Sequence, residues 1–151
     1  MALLSEFIDQ GITLRLQTLE KSAQRITPAL MNNPAALQAE LKQQMVLDNQ
    51  FNAGLLVMNS EGTVIAENSP LTGRLGANYR DRDYIRNALQ QNQAVVGQPV
   101  TGRLSKIAGF GMSAPIRDTQ GQPIGVLTGY IDLGQANFLD IISQQKYGET
   151  G

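Results

Sequence analysis

Ala114-Pro-Ile-Arg-Asp-Thr-Gln-Gly-Gln-Pro-Ile-Gly-Val-Leu-Thr-Gly-Tyr-Ile-Asp-Leu133 carries the pattern that decides the fold. Asp118-Thr-Gln-Gly121 is turn chemistry, because an Asp side chain bonds the backbone just ahead of it and a glycine accepts the left-handed conformation that closes a tight turn. The β-branched, aromatic and aliphatic residues from Ile124 to Leu133 favour extended chain and predict a strand. Successive side chains of a strand point to opposite faces, so Val126, Thr128, Tyr130 and Asp132 share one face, and Leu127 and Ile131 the other. One face is therefore dry and the other ends polar. Working backwards, Lys106 to Ile116 and Ala94 to Val96 also read as strands, which makes a three-stranded antiparallel meander. Beyond it, Gly134 to Ser143 reads as a closing helix.

Upstream, from Leu3 to Ile26, apolar residues recur at Leu4, Ile8, Ile12, Leu16, Leu19, Ala23 and Ile26, the spacing that lines one face of a long amphipathic helix. Pro28 closes it, because a proline disfavours helical geometry in the residue before it. Asn33-Pro34 supplies a cap and a first-turn proline for a second helix through Leu37, Leu41, Met45 and Leu47. Ala53 to Asn59 and Thr63 to Ala66 flank the turn Ser60-Glu-Gly62 and predict a hairpin. Asn68 to Asn78, with Pro70, Gly73, Gly76 and no periodicity, is an irregular loop long enough to carry function. A short helix follows over about Asp81 to Leu89. Together these elements predict an α+β domain with one five-stranded antiparallel sheet, PAS-like in layout. The long N-terminal helix covers the dry face, and the loop roofs a ligand pocket on the other.

The composition excludes several function classes. A chain of 151 residues is long enough to bury its own core as one domain, and 42% hydrophobic against 17% charged residues places it among globular chains rather than disordered ones. A net charge of -1 with no basic stripe leaves nothing to gather phosphates, so nucleic acid is not expected as a partner. Without cysteine there is neither a disulfide framework nor a thiolate site; without histidine the commonest general base and the usual zinc and haem ligand are gone. No cofactor or metal is expected. No run reaches the roughly 18 apolar residues of a transmembrane helix, so any membrane contact belongs to segments outside this chain. Met1-Ala2 and the closing Lys146-Tyr-Gly-Glu-Thr-Gly151 give it the look of an excised segment.

Three segments resemble the Cache domains, PAS-like extracytoplasmic sensors of bacterial chemoreceptors, sensor histidine kinases and membrane diguanylate cyclases. Val57-Met-Asn-Ser-Glu-Gly-Thr-Val64 is similar to that family's hairpin, and Asp81-Arg-Asp-Tyr84 with Ala88-Leu89 to its Asp-Arg-Asp-Tyr-Phe helix start. Ala114 to Leu133 is similar to its Pro-Ile, turn, Gly-Val-Leu and Asp-Leu signature. The resemblance implies a double-Cache type 1 sensor divided into a long signalling helix over 1–27, the sensor module over 28–145, and at 146–151 the start of a following segment, which makes this the first, membrane-distal module. It further implies a periplasmic or extracellular domain of an inner-membrane protein, engaged in signal transduction, that performs no catalysis itself.

In the amino-acid-binding branch of that family an Arg and an aromatic pair at the small helix hold the ligand carboxylate, and an Asp late on the last long strand takes the amine. Arg82 and Tyr84 match the Arg and the first aromatic, and Asp132 matches the amine-binding Asp; Ile85 replaces the second aromatic, and Ala77 stands about where an upstream Tyr is expected. The physics of these residues agrees. Arg82 at a helix N-terminus joins a planar guanidinium to backbone N–H groups, both of which favour an anion, although it can also bridge Asp81 or Asp83 on a solvated face. Tyr84 walls a pocket or serves as plain core; Asp132 meets a ligand ammonium or caps the closing helix. Gly109 and Gly111 inside a strand mark a close approach, by a ligand or by the first helix or Phe110. Arg103, on the loop before, reaches over the cavity or lies on the surface. The predicted ligand-binding set is Arg82, Tyr84, Arg103, Phe110, Gly111, Tyr130 and Asp132.

These residues favour a sensor for a small organic acid or amino-acid-like molecule. The leading helix, with Leu3, Leu4, Phe7 and Ile8 beyond the domain body, offers a surface for a homodimer. The competing reading is a ligand-free PAS-like or Roadblock-like interaction module. An enzyme built on Asp132 and Arg82 is a third, disfavoured because no nucleophile-base pair, metal cluster or phosphate loop is visible; Gly73-Arg-Leu-Gly76 is too short for a phosphate loop.

Overall fold

The computed structural model describes residues 2–43, 51, 53–68, 73–97, 100–101 and 108–132, with the backbone alone for 2–10, 100–101, 108–109 and 132. The leading apolar stripe forms α1 (Ala2–Gln24). Pro28 does more than end it. Four residues after the end of α1 it opens a single turn, α2 (Pro28–Met31), whose N-cap Thr27 accepts the Leu30 N–H at 3.2 Å. Asn33 repeats the device for α3 (Pro34–Lys42), accepting the Ala36 N–H at 3.2 Å. The expected continuation to Met45 and Leu47 lies outside the described residues, as does the closing helix over 134–143.

The hairpin is β1 (Leu55–Asn59) and β2 (Val64–Asn68). Asn59 shapes its turn by accepting the N–H groups of Glu61 and Thr63 at 3.0 and 3.1 Å. The loop then leads to α4 (Asp83–Gln91), followed by the short β3 (Val95–Val96) and β4 (Val100–Thr101) and the long β5 (Ala108–Arg117) and β6 (Pro123–Asp132). The β5–β6 turn follows its residues: Asp118 Oδ1 accepts the Gln120 and Gln122 N–H groups, each at 2.9 Å, and Gly121 takes φ +83°.

The strands form an antiparallel sheet in the order β2-β1-β6-β5-β3, with β4 pairing the opposite end of the β5 edge. This is the expected five-stranded α+β arrangement, with β4 added; a strand of two residues is too short for alternation to reveal. The faces separate as the β6 alternation requires. On one side Leu19, Ala23 and Ile26 meet Leu55, Val57, Met112, Ile116, Leu127 and Ile131; on the other, Tyr84, Ile85 and Ala88 of α4 meet Leu56, Met58, Val126 and Tyr130. α1 lies across β5 and β6, α3 against β2, and α4 on the far face.

Two polar clamps hold the edges. Arg117 donates from Nε to Asn92 Oδ1 at 2.7 Å and from Nη2 to the Asn92 carbonyl at 2.9 Å, while Asn92 Nδ2 donates to the Gly121 carbonyl at 2.9 Å. The C-terminus of α4 is thereby fastened to the β5–β6 turn. Gln38 of α3 pairs the Glu67 backbone both ways, accepting its N–H at 3.1 Å and donating to its carbonyl at 2.5 Å.

Candidate functional site

The site-bearing face is organised around Tyr84. Arg82, in extended conformation, is the N-cap of α4, and its carbonyl accepts the N–H groups of Ile85 and Arg86 at 3.2 and 3.1 Å. Tyr84 therefore falls on the first turn and enters the sheet layer. Its ring rests where two neighbouring strands have no side chain: a Cβ on Gly97 would stand 2.4 Å from Tyr84 Cδ1, and one on Gly111 2.8 Å from its Cε2. The Gly97 N–H donates to the Gly111 carbonyl at 2.7 Å, so the two glycines make one continuous seat. Tyr130, paired with Gly111 across β5–β6, meets Tyr84 edge-on with ring centroids 5.9 Å apart, and the Tyr84 hydroxyl donates to the Tyr130 hydroxyl at 3.0 Å. One pair further along the same face, Ser113 Oγ and Thr128 Oγ1 bond at 2.8 Å, both buried.

Two arginines adjoin this aromatic group. Arg82 is half-buried, and its Nε is buried without a hydrogen-bond partner among the described residues. Arg74, in the loop after β2, is buried, and its position is prepared: the Glu67 carboxylate accepts the Gly73 and Arg74 N–H groups at 3.2 and 2.8 Å. Arg74 Nη1 donates to the Tyr79 hydroxyl at 3.2 Å, while its Nε too is buried without a partner among the described residues. A buried guanidinium nitrogen with nothing to donate to is costly.

Electrostatics at the tyrosine pair follow from burial. Desolvation raises the Tyr84 hydroxyl above the ordinary tyrosine range, partly offset by the bond to Tyr130 and by the Arg82 charge. Burial, then Tyr84, raises Tyr130 well above that range, with Arg74 opposing. Both groups are thus held as neutral phenols in the folded state. Their contribution to stability is complete below the ordinary tyrosine range and is lost as pH rises through it toward the raised folded values. Unfolding midpoints measured through alkaline pH are expected to fall less steeply in Tyr130→Phe than in the wild type; parallel curves would show that Tyr130 is not the cause.

Of the predicted residues, Tyr84, Gly111 and Tyr130 come together, with Arg82 at the start of α4 close enough for its charge to act on Tyr84. Phe110 does not. It sits on the α1 side with Met112 and Leu127, because adjacent residues of a strand face opposite ways and Gly111 is the one opposite Tyr130. Asp132 ends β6 opposite Gly109, in the Tyr130 alternation, and is described by its backbone only; Arg103 lies outside the described residues altogether. Sequence reasoning missed Arg74 and Tyr79. Arg74 lies in an aperiodic loop where nothing marks a cation as buried, and Tyr79 lies two residues beyond Ala77, the position where an aromatic was sought. No cluster of potential metal ligands occurs among the described residues, and no described helix is long and apolar enough to cross a membrane.

No curated protein matches the chain. Among solved structures, the ligand-binding domain of the Pseudomonas fluorescens chemoreceptor CtaA, in complex with L-serine, superposes with a TM-score of 0.71 at 20% identity, over 87% of this chain and 56% of that one. The ligand-binding domain of the Pseudomonas aeruginosa amino-acid chemoreceptor PctC, in complex with GABA, gives 0.69 at 21% identity, over 95% and 62%. That of PctB from the same organism, in complex with L-Arg, gives 0.66 at 23% identity, over 91% and 54%. The chain thus spans little more than half the length of the domains it resembles, and at these identities the likeness is one of fold. The sequence itself matches the family of methyl-accepting chemotaxis protein-like first PDC sensor domains over residues 23–136, so the chain belongs to that family of Cache-type, PAS-like sensor domains.

Proposed function

We propose that this sensor domain is the extracytoplasmic part of a transmembrane receptor, that it binds a small carboxylate-containing molecule, and that it relays occupancy to a cytoplasmic output domain. The observation that carries the reading is Arg82: a guanidinium at the N-terminus of α4, beside the Tyr84–Tyr130 pair, with a buried Nε that has no partner among the described residues. A ligand carboxylate meets that demand. The amino-acid ligands of the CtaA, PctC and PctB domains support it, each carrying a carboxylate. In this reading 1–27 forms the signalling helix, 28–145 the sensor module and 146–151 the start of a further segment, and Asp132 belongs to the same binding set. A homodimer through α1 is supported by Leu14, which is 60% exposed there. Periplasmic placement and a chemotaxis-type output are favoured by the family, with a kinase or diguanylate cyclase as the other outputs.

A thermal-shift screen of amino acids and organic acids tests the site. A carboxylate is expected to raise the unfolding midpoint of the wild type, by RT ln(1 + [L]/Kd) in free energy, and to leave Arg82→Ala unmoved. A full response from Arg82→Ala removes Arg82 from the site.

A further inference from the structure

We propose that the ligand of this site is a small dicarboxylate, its second carboxylate held by Arg74; this rests on the reading of the Arg82 site above. Arg74 is 8% exposed, sits in a loop that no family motif marks, and leaves its Nε buried and unpartnered among the described residues, as Arg82 does. The two cations approach the aromatic group at different members. Arg74 bonds Tyr79 and bears on Tyr130, whereas Arg82 bears on Tyr84. Tyr84 and Tyr130 meet edge-on with centroids 5.9 Å apart, and the two arginines bear on different rings of this pair. An anionic group at each end of a short carbon chain satisfies both, while the edge of the tyrosine pair covers the carbons between.

Arg74 is also held as a binding residue needs to be. The Glu67 carboxylate spends its oxygens on the Gly73 and Arg74 backbone N–H groups, so it fixes the loop, and Gln38 in turn fixes the Glu67 backbone. A single carboxylate at Arg82 would leave the Arg74 Nε as it stands, a buried donor without an acceptor among the described residues, which is a cost to the fold.

The experiment is calorimetric titration of the whole chain with malonate, succinate and glutarate, each against the monocarboxylate of matching chain length, in wild type, Arg74→Ala, Arg74→Lys and Arg82→Ala. The wild type is expected to bind one dicarboxylate at least about tenfold more tightly than its monocarboxylate partner, the scale of one charge-assisted pair. Arg74→Ala is expected to lose that preference. Arg74→Lys, which keeps the charge and is the safeguard should the alanine variant fail to fold, is expected to retain only part of it. Equal affinity of the wild type for both acids, or an undiminished preference in the Arg74 variants, overturns the proposal. If monocarboxylates or amino acids bind in an Arg82-dependent and Arg74-independent way, the second carboxylate is wrong and the Arg82 site stands. Failure of every carboxylate to bind the wild type overturns both.

Discussion

Gly129→Ala is expected to lower the stability of the domain by about 3 kcal/mol, a fall of roughly 6–12 °C in the unfolding midpoint for a chain of this size. A β-strand normally welcomes that exchange, because alanine narrows the unfolded ensemble. Here a Cβ on Gly129 would lie 2.4 to 2.6 Å from Cδ1, Cε1 and Cγ of Phe51, whose ring is fully buried among Leu55, Leu127 and Ile131. The ring contacts the glycine along its inner edge, so a rotamer change at its far end does not relieve the clash. Phe51 must leave its place, and expelling a buried aromatic costs several kcal/mol. Denaturant titration checks the number. The double variant Phe51→Ala/Gly129→Ala isolates the cause: once the ring is gone the added methyl has nothing to strike, so the two losses are expected to fall well short of additive. Strict additivity would mean that the glycine matters for another reason.

The second large effect concerns Gly111→Ala, which acts on the site rather than the main core. The new Cβ would stand 2.8 and 2.9 Å from Tyr84 Cε2 and Cζ and 3.1 Å from Tyr130 Cε1. It would therefore wedge the tyrosine pair apart. The expected result is about 2 kcal/mol of lost stability together with loss of carboxylate binding by about tenfold or more, since the walls of the site move with the rings. Gly121→Ala is the control. It meets open space but takes φ +83°, so it costs about 1 kcal/mol through backbone conformation alone and leaves binding unchanged. Thermal shift with and without the carboxylate reads both quantities. Wild-type affinity in Gly111→Ala would place the ligand away from the tyrosines.

Much of the fold is legible in the chain because its residues advertise themselves locally. The Asp118-to-Gly121 turn, the alternation from Val126 to Ile131 and the capping pair Asn33-Pro34 all act over a few residues. The site is legible only where it borrows such signals, as Arg82 and Tyr84 do from the start of α4. Choosing between Phe110 and Gly111 needs the register of β5 on β6, a long-range fact that no spacing within β5 contains. Arg74 is hidden for a related reason. Its burial comes from Glu67 gripping the loop and from Tyr79 folding back, neither of which follows from composition near residue 74.

Phe51 rests on Gly129 from one side of the sheet and Tyr84 on Gly111 from the other, and Gly129 and Gly111 lie one residue apart in the β5–β6 ladder. At this spot the sheet lacks a side chain at Gly129 on the α1 surface and at Gly111 on the α4 surface, with Met112 and Tyr130 as their pair partners. Two aromatic rings thus bear on opposite surfaces of one sheet at neighbouring rungs of a single ladder, separated there by little more than the thickness of the main chain.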